Sequence, residues 1–307
     1  MSKIVKKSDS KSDNGKKKKP ANKRNADVIP LSTIPFGTML SGVAGGGKRR
    51  AIDEAQQVMY DAWEAKTKKS RIALAKKALT ISPDCADAYV LLAEEEATSV
   101  EEALSFYKQG MQAGERAIGK KAFREDVGYF WGLLETRPYM RARAGLAECL
   151  RWAGKLDEAV EHYWDMLRLN PNDNQGIRDL LMPCLIEMGR VEDAERLFKQ
   201  YEEDAMAVWM YSRALLDFCK HGASALSQKS LKQAIEENRH VPDYLLGRKK
   251  APSRLPDHYG FGDEAEAVLY CNWNQGAWRA TPGALEWLAA MPRHISLTPP
   301  FFQNHRG

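Results

Sequence analysis

A helical hairpin repeats between Ala51 and about Asn238, and this repeat constrains the fold more than any single motif. Apolar residues recur there at three- and four-residue spacing, short breaks separate the stretches, and strand-like alternation is scarce, which predicts an all-α chain. The period is about 34 residues. In its clearest unit, Met140 to Pro171, Leu146 and Ala147 lie in a first helix that Gly154 ends. Asp157 and Glu158 open a second helix carrying Ala159, Tyr163 and Met166, and Pro171 closes the unit. Small residues at 147 and 159 let two antiparallel helices approach closely, while Tyr163 fills the space beside them.

This arrangement resembles the tetratricopeptide repeat. Ala147, Ala159, Tyr163 and Pro171 fall on its small, small, aromatic and proline positions, and Met166 stands where a third small residue is usual. A unit from about Ile52 to Pro83 keeps Ala78 and Pro83 but has Arg71 at a small position. The next, Ala86 to about Glu115, keeps Ala93, Ala103, Tyr107 and Gly110 with a shortened turn. A fourth, Gln175 to about Asp204, keeps Gly189, Ala194 and Phe198 after a one-residue shift, and Pro183 is expected to kink its first helix. A fifth, Ala205 to about Arg239, keeps Ala234 and little else. The resemblance implies a tetratricopeptide-like helical-repeat superhelix over residues 51–240, with a concave groove.

Two regions break the register. Residues 117–138 form an insert whose Phe123, Tyr129, Phe130 and Trp131 are expected to pack as an extra helix. Residues 241–307 are punctuated by seven prolines and carry two expected helices, Asp263 to about Trp278 and Pro282 to about Ala290. Trp273, Trp278 and Trp287 are read as covering the exposed end of the repeat array, since a terminal repeat must hide its apolar face. Three segments, AYVLLAEEEA (Ala88 to Ala97), HVPDYLL (His240 to Leu246) and GDEAEAVLY (Gly262 to Tyr270), are similar in order and approximate spacing to the suppressor of tumorigenicity 7 family. That family also has tetratricopeptide-like helices, but its animal members have membrane-spanning segments for which this sequence shows no apolar run. A soluble, cytoplasmic relative is expected, with a bacterial source as one reading. The resemblance implies no reaction and no catalytic residues.

Charge is unevenly placed. Residues 1–24 carry a net +8, and the other 283 carry −3. Residues 1–26 have almost nothing to bury and are expected to be disordered, continuing as a Pro- and Gly-containing linker to residue 50. Deleting residues 1–26 should therefore leave the helical circular dichroism and the melting temperature nearly unchanged; a large drop would show that the tail packs on the body. The run Lys16 to Arg24 reads as a solubility tail, a non-specific nucleic-acid or anionic-surface contact, or a nuclear-import signal in a eukaryotic host. With no aromatics among its lysines, any nucleic-acid contact should be salt-sensitive.

Chemistry is not indicated. The stretch SGVAGGGKRR (Ser41 to Arg50) has the spacing of a phosphate-binding loop, but Arg49 stands where a metal-binding hydroxyl is required, and no parallel-sheet pattern accompanies it. Five scattered cysteines and six scattered histidines offer no ligand spacing, so neither a metal nor a cofactor is expected. Glu94, Glu95 and Glu96 spread over about 200° of helix and cannot converge on one substrate.

The expected function is a non-enzymatic scaffold or adaptor that binds a protein or peptide in the groove; the alternative is a nucleic-acid-associated protein using the basic tail. The resemblance implies that the groove receives Asp53, Gln56, Tyr60 and Trp63, then Asp87, Val90 and Glu94, then Arg141, Ala144, Glu148 and Arg151. The Lys and Asn residues with which chaperone-binding members clamp a carboxylate are absent. The partner site is placed on Glu94, Arg141, Glu148 and Arg151, with Trp152 as an apolar anchor; in the competing reading Trp152 packs inside its hairpin and the charges pair with one another. Surface ion pairs are worth only about 0–1 kcal/mol, so Arg141→Ala with Arg151→Ala should leave the fold intact and weaken binding of a partner about tenfold or more.

Overall fold

The computed structural model describes residues 47–202 and 206–291. The basic tail, most of the Gly-rich linker and the last three prolines lie outside the described residues. Ten helices follow one another in pairs: α1 (Gly47–Glu64) with α2 (Lys68–Ile81), α3 (Ala86–Glu95) with α4 (Val100–Glu125), α5 (Arg137–Trp152) with α6 (Leu156–Leu169), α7 (Ile177–Glu187) with α8 (Val191–Gln200), and α9 (Ala207–His221) with α10 (Ala225–Glu237). Then come α11 (Val241–Leu245), α12 (Glu264–Ala280) and α13 (Ala284–Ala289). The chain is all-helical, with no strand among the described residues.

The boundaries follow from local chemistry. Thr67, Ser99, Ser224 and Asp263 cap α2, α4, α10 and α12 by accepting a backbone N–H three residues on. Gly154 and Gly189, just past α5 and α7, adopt φ of 76° and 68°, a conformation that side chains disfavour. The amides that follow reach back to satisfy open carbonyls, Lys155 to Leu150 at 2.9 Å and Arg190 to Leu185 at 2.8 Å.

Each helix from α1 to α10 packs on the next, and first helices also touch directly, α1 on α3, α3 on α5, α5 on α7 and α7 on α9. Ala78, Ala147, Ala159, Ala194 and Ala234, all read as small positions, are fully buried, and so are Tyr163 and Met166. Burying a side chain the size of Met166 contributes about 1.5–3 kcal/mol. Arg71 is accommodated because its guanidinium turns to the Ala65 carbonyl at 3.1 Å and the Glu95 carboxylate at 2.5 Å. α7 runs on through Pro183 to Glu187.

The insert is less regular than expected. α4 extends to Glu125 but is interrupted at Gly119, whose φ of 76° and ψ of 164° are not helical. A chain of turns and a short 3₁₀ segment (Leu134–Thr136) follow. Phe123, Phe130 and Tyr139 form a ring cluster with centroids 5.1 to 6.1 Å apart, while Tyr129 is 70% exposed.

The C-terminal region does more than follow the last pair. α12 lies against α7 and α9, two helices of the first-helix row, and so covers that row at its C-terminal end. Trp278 is fully buried and stacks at 6.3 Å on Trp287, which stacks at 4.5 Å on Phe218 of α9; Trp273 stays half-buried. Beyond α12 lie α1, α3 and all of α5 except its last turn, where Arg151 meets the Trp273 carbonyl of α12.

Candidate binding face

The apolar core is divided. One cluster is built from α1, α2 and α3 (Ala55, Met59, Ala75, Leu91 among others), and a larger one runs from Phe130 to Leu288. A polar network ties the first cluster to α5. Asp87, in the first turn of α3 and fully buried, receives Arg141 Nε at 2.8 Å and Nη2 at 2.5 Å, and Gln56 Nε2 of α1 at 2.9 Å. Two parallel N–H donations to one carboxylate give this pair both strength and a fixed geometry. The Arg141 guanidinium carbon also lies 5.6 Å from the centroid of Trp63, and Tyr60 packs at 5.7 Å on the same indole.

Further along the same face, Glu94 of α3 and Glu148 of α5 share a crowded recess. Burial, with like charges on Asp87, Glu95 and Glu148, pushes the Glu94 carboxyl up to about 7, with Arg141 acting the other way. Its side chain is nevertheless open to water, which makes this a recess in the surface and not an interior. Burial also raises the Glu148 carboxyl, against a hydrogen bond from Trp152 and the charge of Arg151. Among the described residues no Lys or Arg nitrogen reaches ion-pair distance of either carboxylate.

Tyr107 of α4 forms the floor. A Cβ at position 145 would lie 2.1 Å from its ring, so the missing side chain of Gly145 is what allows the ring to sit on α5. Burial, then Glu94 and Glu148, raise the Tyr107 hydroxyl.

The structure therefore sorts the five residues expected to bind a partner. Glu94 and Glu148 come together in the recess. Trp152 is 60% exposed and does not pack inside its hairpin. Arg141 is turned inward onto Asp87, so it is not the surface charge the sequence suggested. Arg151 donates from Nη2 to the Trp273 carbonyl of α12, and its Nη1 is buried with no hydrogen-bond partner. Sequence reasoning missed Asp87 and Gln56 as the partners of Arg141, and Tyr107 as a member of the face; the signal for the last was a glycine in mid-helix at 145.

The glycine-rich stretch ends on the first turn of α1. There Lys48 Nζ pairs with Asp84 at 2.9 Å, alongside Arg116 at 2.7 Å. Burial works against the Asp84 carboxylate, but hydrogen bonds from Lys48 and Arg116 outweigh it and hold its carboxyl below the usual range. Lys48 is thus engaged in a contact between helices. Among the described residues no group of three His, Cys, Asp or Glu could hold a metal ion.

Fold and face together define a class: an all-helical chain of packed hairpins presenting a recessed, tryptophan-flanked acidic face. The chain belongs to the ST7 protein family, whose family model matches residues 48–301. It is 30% identical over 260 residues to a "Suppressor of tumorigenicity 7 protein-like" of Gallus gallus, covering 78% of this chain and 47% of that one. It is 30% identical over 253 residues to a protein of the same description in Homo sapiens, covering 75% and 44%. A "Protein ST7 homolog" of Drosophila melanogaster is 29% identical over 265 residues, covering 78% and 48%. The chain spans about half the length of these relatives. Among its described residues no helix is long and apolar enough to cross a membrane.

Proposed function

We propose that this chain is a non-enzymatic, tetratricopeptide-like scaffold that binds a protein or peptide across the face of α1, α3 and α5. The repeat reading is supported by the matching glycine breaks at 154 and 189, the buried small residues and the direct contacts between first helices. The binding reading rests on one observation. Trp63 and Trp152, 43% and 60% exposed, lie along a face on which Glu94 and Glu148 stand together, both carboxyls raised chiefly by partial burial and with no Lys or Arg nitrogen of the described residues at ion-pair distance. Exposed indoles beside unpaired carboxylates offer apolar area and negative charge on one surface, and tryptophan is prominent among residues that dominate interface energy.

The test uses groove residues whose removal spares the buried pair. Once a partner has been identified by affinity purification from the source cell, Glu94→Gln with Glu148→Gln, and separately Trp152→Ala, should weaken its binding about tenfold or more, with the circular dichroism unchanged. Unchanged affinity in a folded variant would place the site elsewhere.

A further inference from the structure

We propose that the recess accepts a Lys-rich segment, and that its resident occupant is residues 16–24 of this same chain, KKKKPANKR, lying between Trp63 and Trp152 with lysines on Glu94 and Glu148. This rests on the reading of the face as a peptide-binding surface and adds what regulates it: an external partner has to displace the tail, whose surface ion pairs are weak enough that deleting residues 1–26 still leaves the melting temperature nearly unchanged.

Three observations carry the inference. The first is charge complementarity. Residues 1–24 hold a net +8 against −3 for the rest of the chain, and Glu94 and Glu148 stand together in this recess with no Lys or Arg nitrogen of the described residues at ion-pair distance. The second is the aromatic frame. Trp63 already has one cation, Arg141, near its ring and Trp152 has Arg151, yet both indoles keep open surface onto which a lysine can settle.

The third is reach. From Arg24 to the start of α1 at Gly47 the chain can extend at most about 80 Å. α1 is 18 residues long, about 27 Å, and carries Trp63 at its far end. A random coil of that connecting length has a root-mean-square span of about 26 Å, so the tail would be held near the recess at millimolar effective concentration.

Carbodiimide cross-linking of the full chain at low salt tests this, because the reagent joins a lysine amine to a carboxylate only when the two touch. Mass spectrometry of an equal mixture of ¹⁵N-labelled and unlabelled protein separates links within one chain from links between chains. The expected result is within-chain links from Lys16–Lys19 or Lys23, at least about fivefold more frequent on Glu94 and Glu148 than on exposed acids such as Glu54, Glu158 and Glu192, and lost at high salt. Links spread evenly over exposed acids, links between chains, or no links would overturn the proposal.

A second arm replaces Lys16–Lys19 by serine and measures affinity for the purified partner, which should rise several-fold. If cross-links fail while Glu94→Gln with Glu148→Gln still weakens the partner, the face binds a partner and the tail is not its occupant. If cross-links form but neither the serine nor the Gln substitutions alter partner affinity, the tail docks and the partner site lies elsewhere.

Discussion

Replacing Arg141 by alanine is expected to lower the unfolding free energy by about 3–5 kcal/mol, the loss typical when one member of a buried ion pair is removed. Asp87 is fully buried, and without Arg141 its carboxylate would keep only the Gln56 amide at 2.9 Å. The loss should also be felt beyond the pair, because Arg141 ties α5 to the separate apolar cluster of α1, α2 and α3. Urea unfolding followed by far-ultraviolet circular dichroism measures it. The diagnostic control is Asp87→Leu with Arg141→Leu. Removing both charges should cost much less than Arg141→Ala, because what destabilises is the orphaned carboxylate and not the missing attraction. A loss below about 1 kcal/mol for Arg141→Ala would mean that water reaches Asp87 and that the pair behaves as a surface one. Arg141→Ala with Arg151→Ala is therefore a poor probe of binding here, since it should disturb the fold that the sequence reading expected it to spare.

Ala159→Leu is expected to cost about 1–3 kcal/mol by overpacking. Ala159 is fully buried on α6 near Tyr163 and Met166, which are themselves fully buried. α6 cannot back away from α5 without pressing on α7, which packs on it from the next pair. Glu161→Ala, two residues along on the exposed side of the same helix, should fall within about 0.5 kcal/mol of the parent. A silent Ala159→Leu would show that the close approach of the helices does not depend on a small residue at that position.

These two predictions had different visibility in the sequence. Ala159 could be identified because its role is repeated: alanines at matching places in several hairpins are buried in the same way, and Gly154 and Gly189 end their helices with the same backbone turn. Helix periodicity, caps and glycine breaks act over a few residues, so a linear pattern records them. Membership in the ST7 family was legible for a related reason, since the segments at 88–97, 240–246 and 262–270 all lie within the matched residues 48–301.

The sequence by itself determined that the chain is all-helical, roughly where its hairpins break, and which small residues lie between helices. The tertiary structure decided which charges stay on the surface. Arg141 and Asp87 are 54 residues apart, and Arg151 and the Trp273 carbonyl are 122 apart. No local spacing announces either contact, because each depends on how whole helices pack. The same reasoning applies to α12, whose amphipathic pattern says that one face must be covered but not that α7 and α9 cover it. Glu94 and Glu148 looked in the sequence like two members of a mixed-charge stripe. Packing turned their arginine neighbours elsewhere and left the two carboxylates facing one recess, because a buried carboxylate such as Asp87 must have a cation whereas a partly solvated one can do without.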